Sequence, residues 1–389
     1  MTLKEKTHFL FLVRKDIIIN QMQKKIGYDA RMIENSGIGI RIQHILKFWP
    51  IPSKEAELFI FGDPNRLNKY DLPKHAKIIP YFTPIYSPKE FFGHPQMAEM
   101  DILDIPHFNV PLRYLRKCIV TIHDLIPYHF KEAHGSILKR LYLQIVLRSI
   151  KWFARHIIAV SQYTKDDLIK CFGYRRETIT VVFNGIDLNN FTKRPQPKVN
   201  AFLKEFQLPK EYLFTVGIGK AHKNFPFLLS NLESLWKKQS LKLPLVIGGI
   251  SKEIPEELLT FQKQNPHRIY FLEHLPYDLL PLAYQGAHLF LYPSLFEGFG
   301  FPVLEAQAMG TVVLSSNASV LPEVLLDSAE YFDPNDDESF QLNLLALLSD
   351  GKRQKAFQTK GIQNSHRFLW KNVLKPYYQV HQTKETESN

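Results

Sequence analysis

Short apolar runs alternate with longer helix-like stretches along most of the chain, and this alternation restricts the fold more than any other feature. Such alternation is typical of βαβ units, which build parallel sheets covered by helices. We therefore predict an α/β protein with parallel sheets. The candidate strands are Leu58–Phe61, Cys118–Ile122, His156–Val160 and Thr180–Phe183, followed by Tyr212–Val216, Leu245–Ile247, Ile269–Leu272, Leu289–Leu291 and Thr311–Leu314.

The length of the chain favours two domains. At 389 residues it is long for a single hydrophobic core. The segment from Thr192 to Gln207 is polar and contains Pro195 and Pro197, so we predict that it is a linker between the two halves. Residues 1–24 fit the alternation least well and are interpreted as an added strand or an extension.

The stretch from Tyr292 to Gly310 has the composition of a ligand-binding loop that leads into a helix. Pro302 suits the start of a helix, where its missing N–H costs nothing, and Gly310 suits its left-handed end. Gly298 and Gly300 lack Cβ atoms and let a ligand approach the backbone. Because a helix N-terminus carries free N–H groups and a partial positive charge, this stretch predicts a phosphate site.

Two carboxylates flank this loop. Glu297 precedes the glycines, and Glu305 is expected in the first turn of the helix, where it would accept hydrogen bonds from hydroxyl groups. A phosphate site between two such acceptors indicates a ligand that carries both phosphate and sugar.

Positive charge is concentrated in the first half of the chain. Residues 1–190 contain 28 Lys and Arg against 18 Asp and Glu, whereas the remainder contains 21 against 20. A basic half joined to a neutral half indicates an anionic partner for the first domain. The apolar run from Phe9 to Val13 is too short for a signal peptide or a membrane span, so we expect a cytoplasmic protein.

The densest basic segment runs from Lys131 to Arg155. Apolar residues recur within it at helical spacing, so it predicts an amphipathic basic helix. Such a helix can lie on an anionic membrane surface, which would make the protein peripheral on the cytoplasmic face. A core helix with a solvated basic face explains the pattern equally well. The residues that define the pattern are Leu138, Lys139, Arg140, Leu141, Tyr142, Ile145, Val146, Arg148, Ile150, Lys151 and Phe153.

The two cysteines argue against two kinds of site. Cys118 and Cys171 are far apart in sequence and outside any metal-ligand spacing. They predict neither a disulfide framework nor a zinc site, and they fit a reducing compartment.

The run E-G-F-G-F-P-V-L-E-A-Q-A-M-G, from Glu297 to Gly310, resembles the Glu-x7-Glu motif of retaining GT-B glycosyltransferases of the family 4 type, which include bacterial mannosyltransferases. Further segments resemble the same family in the order in which it uses them. These are the strand and glycine pair in 28–39, the strand-end His-Asp pair in 120–125, the segments 156–164 and 184–187, and the glycine-lysine loop in 214–224.

The resemblance implies a GT-B fold, with two Rossmann-like domains facing a central cleft. Residues 1–195 would form an acceptor-binding domain, completed by a C-terminal helix at about 365–382. Residues 205–364 would form the domain that binds the nucleotide sugar. The resemblance implies no metal ion and no cofactor. The nucleoside diphosphate sugar, of GDP or UDP type, would be a substrate.

The resemblance also implies the roles of individual residues. His123, Glu297 and Lys223 would be catalytic, with Lys223 on the departing diphosphate, and Asp124 would orient the loop or the imidazole. Glu305 would bind the ribose. The remaining expected donor-binding residues are Lys220, Gly217, Gly298, Phe299, Gly300, Phe301, Gly37 and Gly39. Many relatives carry an arginine where this chain has Ile218 or His222, which leaves Lys220 as the candidate second positive charge.

The expected reaction is retaining transfer of a hexose of mannose or glucose type to a glycan or lipid-linked acceptor, in cell-surface polysaccharide or lipopolysaccharide synthesis. The alternatives are a glycoside hydrolase that uses Glu297 and Glu305 as an acid/base pair, a phosphorylase, and a catalytically silent relative that only binds. Nucleic acid is not an expected partner, because no recognised binding motif accompanies the basic charge.

Overall fold

The computed structural model describes residues 23–130, 137–217, 219–250 and 253–382. The predicted extension at 1–24 lies almost entirely outside the described residues, and Lys24 already belongs to the first strand. The α/β prediction is confirmed: the chain forms two sheets whose neighbouring strands are all parallel.

The first sheet has seven strands in the order β3-β2-β1-β4-β5-β6-β7. Four of them match predicted strands. β1, β3 and β4 were not among the nine candidates, although the Tyr28 segment was expected to hold a strand. The strands are β1 Lys24–Asp29, β2 Ala56–Gly62, β3 Lys77–Pro80, β4 Ile102–Ile105, β5 Cys118–Ile122, β6 His156–Ala159 and β7 Ile179–Val181.

The second sheet has six strands in the order β10-β9-β8-β11-β12-β13. Only its edge strand β13 is absent from the predicted set. The strands are β8 Leu213–Val216, β9 Leu245–Ile250, β10 Ile269–Glu273, β11 Leu289–Tyr292, β12 Val312–Ser316 and β13 Glu330–Phe332.

Helices cover both faces of each sheet, and each sheet lies between two clusters of buried apolar side chains. None of the helices in the described part of the chain is long and apolar enough to span a membrane. The α-helices are α1 Ser36–Lys47, α2 Pro64–Leu67, α3 Ile126–His129, α4 Ile137–Phe153, α5 Gln162–Phe172, α6 Gln196–Glu205, α7 Phe225–Lys237, α8 Glu256–Gln264, α9 Leu280–Gly286, α10 Phe301–Ala308, α11 Leu321–Leu325, α12 Asp337–Ser349, α13 Gly351–Ser365 and α14 Trp370–Gln382.

The strand order places a ligand site in each sheet. In both sheets the order reverses at one point, between β1 and β4 in the first and between β8 and β11 in the second. The loops after these two strands leave in opposite directions, and the crevice between them is where open α/β sheets bind ligands. Residues that follow β8 and β11 are therefore expected to meet, although they are far apart in sequence.

The predicted linker is in part a helix of the second domain. Helix α6 occupies Gln196–Glu205, and its Val199 and Phe202 are buried in the same cluster as Leu282 of α9. Pro195 is the N-cap and Pro197 lies in the first turn, where a proline loses no hydrogen bond. The prolines that made the segment resemble a linker thus begin a helix.

The C-terminal helix α14 packs on the first sheet. Trp370 and Tyr377 lie in one cluster with the apolar residues of β1 and β2. Tyr377 donates to the Asp104 carboxylate at 2.6 Å, and a ring nitrogen of His381 lies 2.9 Å from the same carboxylate. The chain thus returns from the second domain to finish the core of the first.

The two domains also touch directly on the cleft side. Glu323 of α11 accepts hydrogen bonds from the backbone N–H groups of Gln162 and Tyr163, at 2.7 and 2.8 Å, at the start of α5. A carboxylate at a helix N-terminus is favourable because the helix dipole is positive there. This contact joins a helix of the second domain to one of the first.

Candidate functional site

Lys223 and Glu297 form an ion pair at the reversal point of the second sheet. Lys223 lies after β8 and Glu297 after β11, and the Lys223 Nζ atom is 2.8 Å from the Glu297 Oε1 atom. Their side chains are only 12% and 11% exposed. Lys223 also donates to the Tyr292 hydroxyl at 2.7 Å, at the end of β11. The fold thus brings together two residues that are 74 positions apart.

The partners of Glu297 stabilise the ionised form of its carboxyl group. Burial opposes ionisation, but the Lys223 ammonium, which also donates a hydrogen bond, acts together with Ser294 and His222 to keep the pKa of Glu297 below its usual value. The Ser319 hydroxyl accepts from the Glu297 backbone N–H at 2.9 Å, which fixes the loop. The pair therefore presents an ammonium and an ionised carboxylate side by side in a poorly hydrated crevice.

Helix α10 begins directly after this pair. Gly300 is its N-cap, with a φ of 89° that disfavours any residue with a Cβ. Pro302 lies in the first turn and Gly310, with a φ of 74°, follows the helix end, as the sequence predicts. The Phe299 ring is buried against Phe183 and Phe368. Only the Phe299 backbone is therefore available to contact a bound ligand.

Glu305 is the fifth residue of α10 and lies just beyond the first turn, which contains no acidic residue, so its expected position in the first turn was wrong. Its carboxylate accepts from the Tyr284 hydroxyl at 2.9 Å and from the Tyr277 hydroxyl at 3.4 Å. Burial raises the pKa of Glu305 to about 7, although both hydroxyls favour the ionised form. The two tyrosines orient a carboxyl group whose proton is held more tightly than in an ordinary glutamate.

His123 follows β5 and is 9% exposed. Its Nε2 atom lies 2.9 Å from the Pro106 carbonyl oxygen. A carbonyl only accepts, so Nε2 carries the proton and Nδ1 is left as an acceptor. Burial, assisted by the Arg41 charge, lowers the pKa of His123 to about 3, so the imidazole is neutral at physiological pH.

Asp124 stabilises the loop after His123. Its carboxylate accepts from the Ile126 backbone N–H at 2.9 Å, at the start of α3. Burial raises the pKa of Asp124 to about 6, and the Glu297 charge contributes to this shift.

Gly298 brings the two sets of loops together across the cleft. A Cβ built on Gly298 would lie 2.1 Å from the His123 carbonyl oxygen and 2.9 Å from the Asp124 Cβ atom. The backbone that follows Glu297 therefore touches the backbone of the His-Asp loop, and only a glycine permits this approach. One site is thus built from both domains.

The glycine-lysine loop contributes unequally. A Cβ on Gly217 would lie 3.2 Å from the Lys223 Cε atom, so this glycine borders the ion pair. Lys220 is exposed at the start of the short 3-10 helix Ala221–Lys223. His222 is buried, and burial lowers its pKa to about 4, so at neutral pH it does not replace the arginine of relatives as a charge.

Gly37 and Gly39 do not form a loop, which corrects the sequence interpretation. Both lie in the first turn of α1, which begins at Ser36. The Gly39 N–H donates to the Asn35 carbonyl, and a Cβ there would lie 2.5 Å from the Ile33 carbonyl oxygen. Gly39 therefore allows close packing, and its amide is not available to a diphosphate. Gly37 faces the Phe301 ring of the second domain, 3.6 Å from its ideal Cβ position.

Several residues at the site were not predicted from the sequence. Tyr277 and Tyr284 are separated from Glu305 by more than twenty positions, and nothing in their local pattern marks them. Arg41 is fully buried and donates to the Asn184 side chain at 2.6 Å, which gives the Asn184-Gly185 turn a role in the first domain core. One signal could have identified Arg41: it is a basic residue at a helix position where the pattern of the neighbouring residues calls for an apolar side chain.

Two family models match the chain and together cover both domains. The model described as Glycosyl transferases group 1 matches residues 200–364, and the one described as Glycosyltransferase Family 4 matches residues 43–190. The chain is 28% identical over 270 residues to O-antigen chain mannosyltransferase B of Escherichia coli, covering 69% of this chain and 70% of that protein. It is 27% identical over 235 residues to O-antigen chain mannosyltransferase RfbU of Salmonella typhimurium, covering 60% and 61%.

Solved structures share the fold at low sequence identity. HepE of Anabaena, in complex with UDP and glucose, superposes with a TM-score of 0.72 at 17% identity, covering 92% of this chain and 99% of that one. WaaG, a glycosyltransferase involved in lipopolysaccharide biosynthesis, superposes with a TM-score of 0.66 at 13% identity, covering 93% and 100%. The GT-B prediction is confirmed by these likenesses, and the two family models and the mannosyltransferase relatives complete the assignment. The chain belongs to the GT-B glycosyltransferases of the family 4 type.

Proposed function

We propose that this glycosyltransferase moves a hexose, of mannose or glucose type, from a nucleoside diphosphate sugar to a glycan or lipid-linked acceptor, with retention of anomeric configuration. The observation that carries the proposal is the buried Lys223–Glu297 pair, which lies at a sheet reversal point beside the His123 loop of the other domain. An ammonium, a carboxylate and a neutral imidazole are the groups that a departing diphosphate and a sugar require.

Charge on the leaving group is the first thing to be stabilised. When the glycosidic bond to the diphosphate breaks, negative charge grows on its oxygens and the sugar becomes oxocarbenium-like. Lys223, with Lys220 beside it and the start of α10 close by, would stabilise that charge electrostatically. Since these donors are ammonium and backbone N–H groups, we propose that the reaction needs no metal ion and no cofactor.

The sugar would be held from both sides of the cleft. Glu297 accepts from sugar hydroxyls on the donor side, and the unprotonated Nδ1 of His123 accepts from the opposite side. Attack of the acceptor hydroxyl on the face that the diphosphate leaves gives retention. The departing diphosphate takes the acceptor proton, so neither carboxylate has to act as a nucleophile.

The nucleoside would be anchored by Glu305, whose oxygens face two tyrosine hydroxyls and would accept from the ribose. Gly298, Gly300 and the Phe299 and Phe301 backbone would let the phosphates approach the start of α10. These assignments keep Glu305 on the nucleotide and Glu297 on the sugar.

The relatives favour one donor and one class of acceptor. Two of them are O-antigen mannosyltransferases, so we propose a GDP-mannose-type donor and an acceptor in lipopolysaccharide or O-antigen synthesis. A UDP-hexose is the second candidate, because the structural neighbour HepE binds UDP and glucose.

Helix α4 supports a peripheral location on the cytoplasmic face of an anionic membrane. Its apolar residues lie on two faces, because Val146 and Ile150 are buried in the first domain whereas others point outward. The outward stripe has helical spacing and includes a basic residue, which suits an interfacial helix. This stripe consists of Leu138, Leu141, Ile145, Arg148 and Trp152.

A thermal-shift panel of nucleotide sugars tests the proposed donor, because a ligand that binds only the folded state raises the unfolding temperature. We expect a selective shift with GDP-mannose or a UDP-hexose, and radiolabelled transfer from the same compound to lipid-linked glycan. Selective binding without transfer to any glycan acceptor would favour the catalytically silent alternative. Absence of both would contradict the proposal.

A further inference from the structure

The sequence spacing argued against a metal site, yet the fold assembles a group of metal-ligand type outside the donor site. His129, Asp167 and Cys171 offer ligand atoms that all lie within 4.8 Å of one another. Among the described residues, this is the group of three or more His, Cys, Asp or Glu side chains that meets this geometric condition. It combines an imidazole, a carboxylate and a thiol, which is a ligand set typical of zinc.

The local structure brings the three side chains together. Asp167 and Cys171 are four residues apart on α5, so they share one face of that helix. His129 is the last residue of α3, and the neighbouring Tyr128 ring lies 5.0 Å from the Phe172 ring of α5. The His129 Nε2 atom is 2.8 Å from Asp167 Oδ2, and the Cys171 thiol donates to Asp167 Oδ1 at 3.3 Å.

A tetrahedral ion needs a local rearrangement of this group, because His129 and Cys171 contact different oxygens of Asp167. Zinc bonds of about 2.0–2.3 Å place neighbouring ligand atoms about 3.3–3.6 Å apart. The Cys171–Asp167 separation of 3.3 Å already lies in that range, and the His129–Asp167 contact has to open by about half an ångström. The His129 side chain is 31% exposed, which leaves room for water as a fourth ligand.

We propose that His129, Asp167 and Cys171 bind one Zn²⁺ or similar thiophilic divalent cation per chain. On binding, the cation displaces the thiol proton and the Nε2 proton moves to Nδ1 of the imidazole or to solvent. The thiolate and the carboxylate together neutralise the cation. The ion joins α3 to α5 and so tethers the segment that follows the His123–Asp124 loop.

The position of this group connects it to the cleft. The His129 ring lies 4.9 Å from the Phe296 ring, and Phe296 directly precedes Glu297. Tyr163 of α5 packs on the same ring at 5.5 Å. A bound cation would therefore hold in place the wall of the first domain against which the Glu297 loop rests. The inference does not depend on which sugar is transferred.

The test uses the full-length, untagged chain after treatment with a chelator, because a histidine tag would bind zinc itself. Zinc affinity is measured by competition with a chromogenic chelator, and Co²⁺ serves as an optical probe, since a thiolate ligand gives a charge-transfer band. We expect one equivalent of zinc, a thiolate–Co²⁺ band, and a higher unfolding temperature with zinc present.

The chain offers a matched control because it has only two cysteines. Cys171→Ser is expected to abolish the thiolate band and to weaken zinc binding at least tenfold, and His129→Gln to weaken it similarly. Cys118→Ala, at a buried position outside the group, is expected to keep both signals. Unchanged zinc affinity in Cys171→Ser and His129→Gln, or no bound zinc in the wild type, would mean that the three side chains form only a hydrogen-bonded network. Sugar transfer is also assayed in the presence of chelator. Failure of the zinc proposal can then be distinguished from failure of the proposed function.

Discussion

At the scale of single residues, the Lys223–Glu297 pair is more easily explained by chemistry than by stability. Removing two charges from water costs more than a surface ion pair returns, so a buried pair is a weak contributor to folding. Once it is formed, however, the loss of one member leaves the other charged and poorly hydrated. In the proposed reaction, the pair holds the Lys223 ammonium where it can also interact with the departing diphosphate.

Replacement of Lys223 should affect both chemistry and folding, because it removes a charge from the reaction and leaves Glu297 without its buried partner. We expect Lys223→Met to lower kcat by about 10²–10³-fold, the range found when one electrostatic stabiliser of a transition state is removed. Glu297→Gln should lower kcat as well, and the free energy of unfolding of the double variant should exceed the value expected by adding the two single losses. Urea unfolding and single-turnover transfer measure both effects.

Lys238→Met is the control for these variants, because Lys238 is an exposed lysine at the end of α7 in the same domain. It should transfer sugar like the wild type. Near-normal kcat in Lys223→Met would refute the assigned role of Lys223.

The raised pKa of Glu305 predicts a pH-dependent donor affinity. With a folded pKa of about 7, against 4.5 for the ordinary side chain, the carboxylate that we propose accepts from ribose is formed as the pH rises through 7. We expect nucleotide-sugar affinity to increase several-fold, up to about tenfold, between pH 6 and pH 8. Nucleotide sugars are the proper probe, since their phosphates do not titrate in this range.

Glu305→Gln tests the source of this dependence and should flatten it. The same shift acts on stability with a definite sign, because the folded protein holds the proton more tightly than the unfolded chain. The resulting stabilisation is complete below pH 4.5 and is lost as the pH rises through about 7. An affinity profile of Glu305→Gln as steep as that of the wild type would assign the dependence to another group, with Asp124 next to be tested.

At the scale of elements, the cleft depends on the contact between the loop before α10 and the loop after β5. Gly298→Ala would force a Cβ into the His123 carbonyl, which lies 2.1 Å from the ideal Cβ position. Because the two loops belong to different domains, they can separate without unfolding either one. We expect kcat/KM to fall at least tenfold, with only a small change in the unfolding temperature.

Gly351→Ala provides the matched glycine control. No heavy atom lies within 4 Å of a Cβ at Gly351, and this residue begins α13. The variant should retain full activity and equal or higher stability, because alanine favours the helix. Wild-type kcat/KM in Gly298→Ala would show that the close approach is not needed for transfer.

At the scale of the whole molecule, the uneven charge distribution and the outward stripe of α4 belong to the same domain. Arg148 lies within the stripe, and the Lys151 ammonium lies over the exposed Trp152 ring at 4.8 Å from its centroid. Charge and apolar surface thus face outward together, as membrane adsorption requires.

Charge reversal tests this arrangement. We expect Arg148→Glu with Lys151→Glu to reduce binding to vesicles that contain anionic lipid at least tenfold, since each basic residue near such a surface contributes about 1 kcal/mol. Binding to neutral vesicles should not change, and neither should transfer to a water-soluble acceptor. Reversal of Lys352 and Lys355 on α13 of the second domain is the control. Equal vesicle binding by all variants would mean that α4 is a core helix with a solvated basic face.

The sequence by itself determined the fold class and the ends of α10. These follow from local chemistry: alternation of apolar runs, a proline that fits only a first turn, and a glycine that fits a left-handed end. Local composition also misled, since Pro195 and Pro197 begin a helix of the second domain, and Gly37 and Gly39 lie within the helix α1.

Only the tertiary structure decided which distant residues meet. The strand order places the ends of β8 and β11 side by side, and so pairs Lys223 with Glu297 across 74 positions. It also surrounds Glu305 with tyrosines and joins Cys171 to His129. Side-chain pairing of this kind depends on the order of the parallel strands in the sheet, and burial then shifts the pKa values of the paired groups. Local sequence patterns contain neither the strand order nor the burial.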